Sequence, residues 1–392
     1  MINFGQFNES FPPIIDGVAN VVKNYAYWLN KKYGRCYVIT PKHPDATDDY
    51  DSIVLRYLSM KVPTRGEYRF GLPMMDPAFW KELKKIPFGL VHAHSPFGSG
   101  IAARSIAKKR GIPFVTTFHS KYRDDFKAAL KSDIMVDAAL AKIISFYESA
   151  DEVWAVNEAS LETLREYGYR GRAFIMENGC DIEMRYRSKK TDDEVNREFA
   201  LVPEAPLFAY IGQHVWQKNL MVVIEALKIL RDRGYRYNMI FVGGGPKKSD
   251  MEKMIRAYGL DESVTFTGWI HDRDMIAKIY LRSNALLFPS MYDTSSLIPR
   301  EAAACGCPTV FVKGASTAQG ITEEDGFLVE NNRESLADVA AYIINNPQKA
   351  SIVGENARNT IYRSWENAVD MAYERYLHLI AIKKQAPIKQ AK

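Results

Sequence analysis

The sequence predicts two doubly wound α/β domains, each a parallel sheet with helices on both faces, followed by one long terminal helix. Three observations carry this. Short apolar runs alternate with helical patterns of ten or more residues, as parallel strands buried on both sides require. The alternation stops at a charged, strand-poor stretch, residues 181–206 (DIEMRYRSKKTDDEVNREFALVPEAP), and then restarts. The length, 392 residues, exceeds the roughly 250–300 that one hydrophobic core supports.

In order, INFGQF reads as a strand, VANVVKNYAYWLNKK as a helix and CYVIT as a strand. GLVHAHS, a helix over 99–110 and PFVTTFHS repeat the unit, and DEVWAVN, a helix over 158–167 and AFIMENG repeat it again. The second series runs LFAYIGQ, helix 219–231, YNMIFVGG, helix 250–257, VTFTGW, helix 272–281, ALLFPS, helix 301–305 and TVFVKG. SWENAVDMAYERYLHLIAI is an amphipathic helix, and KKQAPIKQAK after it is predicted to be disordered. The expected domains are residues 1–183 and 184–363, with the terminal helix at 364–382 and a basic tail at 383–392.

Composition narrows the function classes. Hydrophobic residues make up 47% and charged residues 25%, ordinary for a globular protein, and the net charge of +5 permits phosphate or anionic-lipid partners without demanding them. No basic-aromatic stripe or zinc-knuckle spacing points to nucleic acid. The four cysteines form no disulfide framework, and Cys305 and Cys307 read as small buried residues at a helix end, which suits a reducing cytoplasm. The first residues lack the basic and apolar regions of a signal peptide, and no apolar run approaches transmembrane length.

Chemistry in doubly wound folds sits in the loops after the strands. Asp16-Gly17-Val18 opens a helix, where Gly17 serves either a tight turn or close approach of backbone N–H groups to an anion. His119 ends an apolar strand and is followed by Lys121, Tyr122 and Arg123; His92 and His94 share one strand face without a third ligand, favouring packing or acceptor contact over metal. Lys218 starts a helix, where a lysine opposes the helix dipole and suits a diphosphate clamp. Gly243, Gly244 and Gly245 fill the next loop, and the backbone at Trp269–Ile270 lies where a base edge could pair. Asp293 and Glu301, eight apart, would diverge by about 80° on one continuous helix. With Asp293 in a loop and Glu301 in the first turn of a helix begun at Pro299, both can face a common site; otherwise Glu301 only complements the dipole. Asp49-Tyr50-Asp51 and Asp272-Arg273-Asp274 read as an acidic loop and a helix start rather than as metal sites.

Taken together, these loops resemble glycosyltransferase family 4, the retaining enzymes of the GT-B fold with two facing Rossmann-like domains. The resemblance rests on Asp293-x7-Glu301 followed by AAACGCPTV, with Gly17-Val18, His119, Asn178-Gly179-x-Asp181, Lys218-Asn219, VGGGP, VTFTGW, and Trp365 and Tyr376 of a helix returning to the first domain. It implies a catalytic set of His119, Lys218 and Asp293. The implied donor-binding set is Gly17, Gln213, Gly244, Trp269, Ile270, Ser295, Ser296, Leu297 and Glu301, in which Glu301 would hold the ribose and Lys218 the diphosphate. Gln213, Asp293 and Ser296 stand where the family usually has Arg, Glu and Gly. RGEYRFGLP, HAHSPFGSG and TTFHSKYRDDF look like the corresponding stretches of bacterial diacylglycerol glucosyltransferases, which suggests His94, Tyr122 and Arg123 as acceptor contacts. GLPMM and the helix around 124–147 would then face a membrane.

The function so implied is transfer of a hexose from a UDP-sugar, with retention, to a hydroxyl of a diacylglycerol-type lipid or a glycan precursor. It implies no metal and no cofactor beyond the nucleotide-sugar co-substrate, no nucleic-acid partner, and a cytoplasmic location with peripheral membrane contact. The alternative is a catalytically silent GT-B partner of another glycosyltransferase.

Overall fold

The computed structural model describes residues 1–14, 16–62, 68–130, 132–293 and 296–385. The chain divides into two compact units, Met1–Asn178 joined by Trp365 onward, and Gly179–Ser364. The division falls after 178 rather than after 183, because Cys180 and Ile182 lie in the second unit's core.

The first unit holds β1 (Ile2–Phe7), α1 (Gly17–Lys32), β2 (Gly34–Pro41), β3 (Ile53–Tyr57), β4 (Ser59–Lys61), β5 (Arg69–Gly71), α2 (Pro77–Leu83) and β6 (Leu90–Ala93). It continues with α3 (Gly98–Arg110), β7 (Phe114–Phe118), α4 (Tyr122–Ala129), α5 (Asp133–Glu148), β8 (Glu152–Ala155), α6 (Glu158–Glu166) and β9 (Ala173–Ile175). Seven strands form a parallel sheet in the order β3-β2-β1-β6-β7-β8-β9, and β4 and β5 make a separate antiparallel hairpin. Where one helix was expected around 124–147 there are two, α4 and α5. Leu130 and Ser132 on either side of the break both have extended backbone.

The second unit runs α7 (Lys189–Glu198), β10 (Leu207–Ile211), α8 (Leu220–Asp232), β11 (Asn238–Val242), α9 (Lys248–Ala257), β12 (Val264–Gly268), α10 (Arg273–Arg282) and β13 (Ala285–Phe288). Then follow α11 (Ile298–Ala304), β14 (Thr309–Val312), β15 (Phe327–Val329), α12 (Arg333–Asn345) and α13 (Pro347–Thr360). Its parallel sheet has the order β12-β11-β10-β13-β14-β15. Side-chain alternation builds a core on each face: Phe208 and Tyr210 of β10 join one, while Leu207, Ala209 and Ile211 join the other.

Strand order reverses between β1 and β6 in the first unit and between β10 and β13 in the second. Such switch points splay apart the loops after the two strands and open a crevice, the usual place for a ligand. The last helix, α14 (Trp365–Gln385), belongs to the first unit. Trp365, Ala368, Val369, Ala372, Tyr376 and Leu379 recur at three- and four-residue spacing and are all buried. Its polar edge meets α1: Lys32 pairs with Asp370 at 2.7 Å and Glu366 at 2.8 Å, and Tyr33 stacks on Tyr373 at 3.6 Å. No helix among the described residues is long and apolar enough to cross a membrane. Residues 386–392 of the expected basic tail lie outside the described residues.

Candidate functional site

The switch point of the second unit joins two residues 75 positions apart. Lys218 closes a 3-10 turn, Trp216–Lys218, in the loop after β10, and Asp293 lies in the loop after β13. The Lys218 ammonium donates to Asp293 Oδ1, and both side chains are largely buried. Asp293 Oδ2 is also buried and has no hydrogen-bond partner among the described residues. An ammonium carries three donors and one is used by this pair, so the pair keeps both a free cationic donor capacity and a free acceptor. Asn219, left-handed at φ 61°, turns the chain directly into α8 and ties the loop to Pro289 O at 3.3 Å. Gln213 is exposed, and its carbonyl accepts from the Tyr210 hydroxyl at 2.9 Å.

The adjoining loops are stitched through glycine. Gly243, at φ 117°, donates its N–H to Gly268 O at 2.8 Å, and a Cβ there would lie 2.1 Å from Gly212 O. His214 N–H donates to Gly244 O at 2.9 Å, and the Trp269 indole lies against Gly244, where a Cβ would meet Nε1 at 2.8 Å. These glycines therefore have a packing reason independent of any ligand. Trp269 is exposed. Ser296 Oγ accepts from Ile298 N–H at 3.3 Å ahead of α11, and Leu297 occupies its N-cap position. Ser295 lies outside the described residues.

Glu301 does sit in the first turn of α11, with Pro299 just ahead of it. It is not there merely for the dipole: Arg273 donates to Oε1 and the Tyr280 hydroxyl donates to Oε2 at 3.3 Å. Burial pushes its carboxyl above the ordinary 4.5, with Arg273 opposing. Sequence reasoning missed Arg273 and Tyr280, both on α10. The Asp272-Arg273-Asp274 triplet resolves into a cap and a pair, since Asp272 accepts from Asp274 N–H at 2.8 Å and Asp274 pairs with Lys278 at 2.9 Å.

In the first unit, Asp16 caps α1 by accepting from Ala19 N–H at 2.7 Å. Gly17 has no left-handed φ, and a Cβ there would meet nothing within 4 Å. The turn therefore does not require glycine, and a side chain there would find open space. His119 follows β7, and its Nε2 lies 3.1 Å from His94 Nδ1. Burial lowers its imidazole to about 3, so it is neutral at physiological pH. The three residues suggested as acceptor contacts lie in different surroundings. Tyr122 is buried with its ring against Phe97, Phe118 and Phe126, and Arg123 pairs with Asp137 at 2.9 Å. His94 is also buried, bonded to Gln6 and His119 rather than presented at a surface. Glu9, which the sequence reading passed over, lies at this unit's switch point and accepts from Ser99 N–H at 2.6 Å and the Tyr57 hydroxyl at 3.2 Å.

Two doubly wound units with these loops at their switch points define a GT-B glycosyltransferase. Residues 15–184 match the family model described as Glycosyltransferase Family 4, and residues 192–360 match that of glycosyl transferases group 1. The chain belongs to glycosyltransferase family 4 and is related to glycolipid synthases. It is 23% identical over 373 residues to the alpha-monoglucosyldiacylglycerol synthase of Acholeplasma laidlawii, covering 91% of this chain and 92% of that protein. A GDP-mannose-dependent alpha-mannosyltransferase of Mycobacterium tuberculosis is 22% identical over 369 residues, covering 92% and 93%. Among solved structures, sucrose-phosphate synthase from Thermosynechococcus elongatus aligns with TM-score 0.77 at 21% identity, over 97% of this chain and 100% of that one. Anabaena HepE in complex with UDP aligns with TM-score 0.77 at 16% identity, over 96% and 100%.

Proposed function

We propose that this protein moves a hexose from a UDP-sugar, with retention of configuration, to a hydroxyl of a diacylglycerol-type lipid at the cytoplasmic face of a membrane. The observation that carries the donor half is the Lys218–Asp293 pair, with its unused ammonium donors and its buried, unpartnered Oδ2. Departure of a nucleoside diphosphate needs fixed positive charge where negative charge develops, and Lys218 supplies it. Asp293 Oδ2 accepts from a sugar hydroxyl, and Glu301, anchored by Arg273 and Tyr280, accepts from the ribose hydroxyls. The carboxylate beside Lys218, that of Asp293, is already tied to the ammonium, and on this reading the acceptor attacks on the same face that the diphosphate leaves. The departing phosphate oxygen takes the acceptor's proton.

The lipid half is supported by the first unit and by the glycolipid-synthase relatives. An apolar groove of about 390 Å³ is lined by Phe70, Met74, Met75, Phe97, Phe126 and Ile143. Met74 and Met75 are 64% and 67% exposed, and Ile134, at the start of α5, is 82% exposed. Such a patch suits insertion among lipid headgroups.

The test is a screen of UDP-glucose, UDP-galactose and GDP-mannose against diacylglycerol-containing vesicles, with nucleotide release measured and the product anomer read by NMR. An α-linked glycolipid made from a UDP-hexose supports the reading. Transfer from GDP-mannose alone replaces the donor, a β-linked product refutes retention, and no transfer from any donor overturns the proposal.

A further inference from the structure

His119 is the end of a chain of buried hydrogen bonds that reaches the last helix. Its Nε2 meets His94 Nδ1 at 3.1 Å, and His94 Nε2 meets Gln6 Oε1 at 2.7 Å. Gln6 Nε2 reaches the Tyr376 hydroxyl at 3.4 Å, which lies 2.6 Å from His92 Nδ1, and His92 Nε2 is 2.7 Å from Thr117 Oγ1. Gln6, His92, His94 and Tyr376 are all buried, and the three imidazoles are held neutral by burial. Each neutral imidazole has one donor and one acceptor nitrogen, so the orientation of the Gln6 amide fixes the direction of the chain from Gln6 through His94 to His119.

The distances choose the direction. With the Gln6 amide as placed, the 2.7 Å contact is an imidazole N–H donating to an amide oxygen, within the normal range. Turning the amide over would make it a nitrogen-to-nitrogen contact of 2.7 Å. It would also make the Tyr376 link an O–H···O bond of 3.4 Å, beyond the roughly 2.5–3.0 Å such bonds occupy. The amide N–H therefore points at the Tyr376 hydroxyl, which accepts from it. His94 donates to Gln6 from Nε2, which leaves His94 Nδ1 as acceptor and obliges His119 to donate from Nε2. His119 Nδ1 is left as a bare lone pair, and it makes no hydrogen bond among the described residues.

We propose that Tyr376 is a positioning residue for His119: acting through Gln6 and His94, it holds His119 as the Nε2–H tautomer and so presents Nδ1 as an acceptor for a sugar hydroxyl. This rests on the proposed transferase reading and deepens it. A sugar hydroxyl meeting Nδ1 is bound as a donor, and a sugar with a carboxylate or a carbonyl at that position meets two lone pairs and is rejected. The sequence separation is the point of interest. Tyr376 lies 370 residues from Gln6, on a helix that follows the whole second unit in the chain, yet it sets the protonation of a group after β7.

The test reads the tautomer directly. Histidine-selective ¹⁵N labelling and long-range ¹H–¹⁵N correlation spectra of the full-length protein, with His119 assigned by His119→Asn, should show His119 protonated at Nε2 only. Tyr376→Phe keeps the ring and its packing but frees the Gln6 amide to turn over. The chain then reverses, and His119 should become a mixture carrying protons on Nδ1. Its kcat should fall about tenfold with little change in donor KM, the size expected for one misdirected hydrogen bond. A wild-type His119 protonated at Nδ1, or a tautomer unmoved by Tyr376→Phe in a protein with native circular dichroism, overturns the proposal. Because the spectra need no substrate, a failure of the transferase reading and a failure of this one are told apart.

Discussion

Replacing Asp293 with Asn should tighten UDP binding while slowing sugar transfer. In the free protein the Asp293 carboxylate already occupies one donor of Lys218, and the two side chains keep only 18% and 17% of their exposure. An arriving diphosphate must compete with that carboxylate for the ammonium. A hydrogen bond to a charged group contributes about 1.5–3 kcal/mol, roughly twice a neutral one, and Asn retains the neutral contact. The competition lost is then about 1–1.5 kcal/mol, or roughly tenfold in Kd. Removing a negative charge beside the diphosphate acts in the same direction. Isothermal titration of UDP into wild type and Asp293→Asn at fixed ionic strength measures the gain, and turnover at saturating donor should fall because the sugar-facing carboxylate is gone. Lys218→Met should weaken UDP binding, and Asp293→Asn should gain less in that background than in wild type, since only the relief of charge repulsion remains once the cation is gone. UDP bound more weakly by Asp293→Asn than by wild type would refute the reasoning.

Three other outcomes follow from particular environments. Burial raises the Glu301 carboxyl above 4.5, so its contribution to stability is fully present below 4.5 and is lost as pH rises through the higher folded value. Glu301→Gln does not titrate and should gain on wild type as pH climbs to 7; a urea-midpoint difference moving the other way would contradict the assignment. Tyr122→Phe removes only a hydroxyl that lies 3.4 Å from the Tyr147 hydroxyl, so transfer to a lipid acceptor should be unchanged, and a large rise in acceptor KM would return Tyr122 to the acceptor site. Met74→Glu with Met75→Glu should leave the melting temperature unchanged, because both are exposed, while vesicle binding falls at least about a hundredfold if each side chain loses about 1.5 kcal/mol or more of burial. Undiminished co-sedimentation with vesicles would remove this face from the membrane.

The long parallel strands were legible because strands covered on both faces are apolar along nearly their whole length, as LFAYI and, after Asn238, MIFV are. β3, IVLRY, was not, because an edge strand carries polar residues, and the three-residue strands β4, β5 and β15 are too short for any period to show. Lys218, Asp293 and Glu301 were each readable from their place after a strand or at a helix start. Their partners were not, since pairing across 75 residues depends on strand order, which no local pattern encodes. The burial of Tyr122 was not legible, because an aromatic in a cationic loop looks the same whether it faces ligand or core. Gln6 did leave a signal, an amide between Gly5 and Phe7 in the run INFGQF, since a buried amide must find partners.

The two carboxylates eight residues apart are therefore unlike in what a ligand asks of them. Glu301 already accepts from Arg273 and Tyr280, one bond on each oxygen, and an ionised carboxylate has about four acceptor positions. It can take two ribose hydroxyls without releasing either anchor, so its geometry is set before the nucleotide arrives. Asp293 is bonded through one oxygen to the cation that the diphosphate also needs, so ligand binding must redistribute that bond. The pairing leaves Asp293 Oδ2 open for the sugar, and it spares Lys218 from standing uncompensated in a largely buried loop when no donor is bound. On this reading Glu301 decides where the nucleoside lies and the Lys218–Asp293 pair decides whether a diphosphate-linked sugar is present. UDP-sugar affinity should then depend on salt through Lys218 and hardly at all through Glu301, whose anchored, buried carboxylate is shielded from added ions.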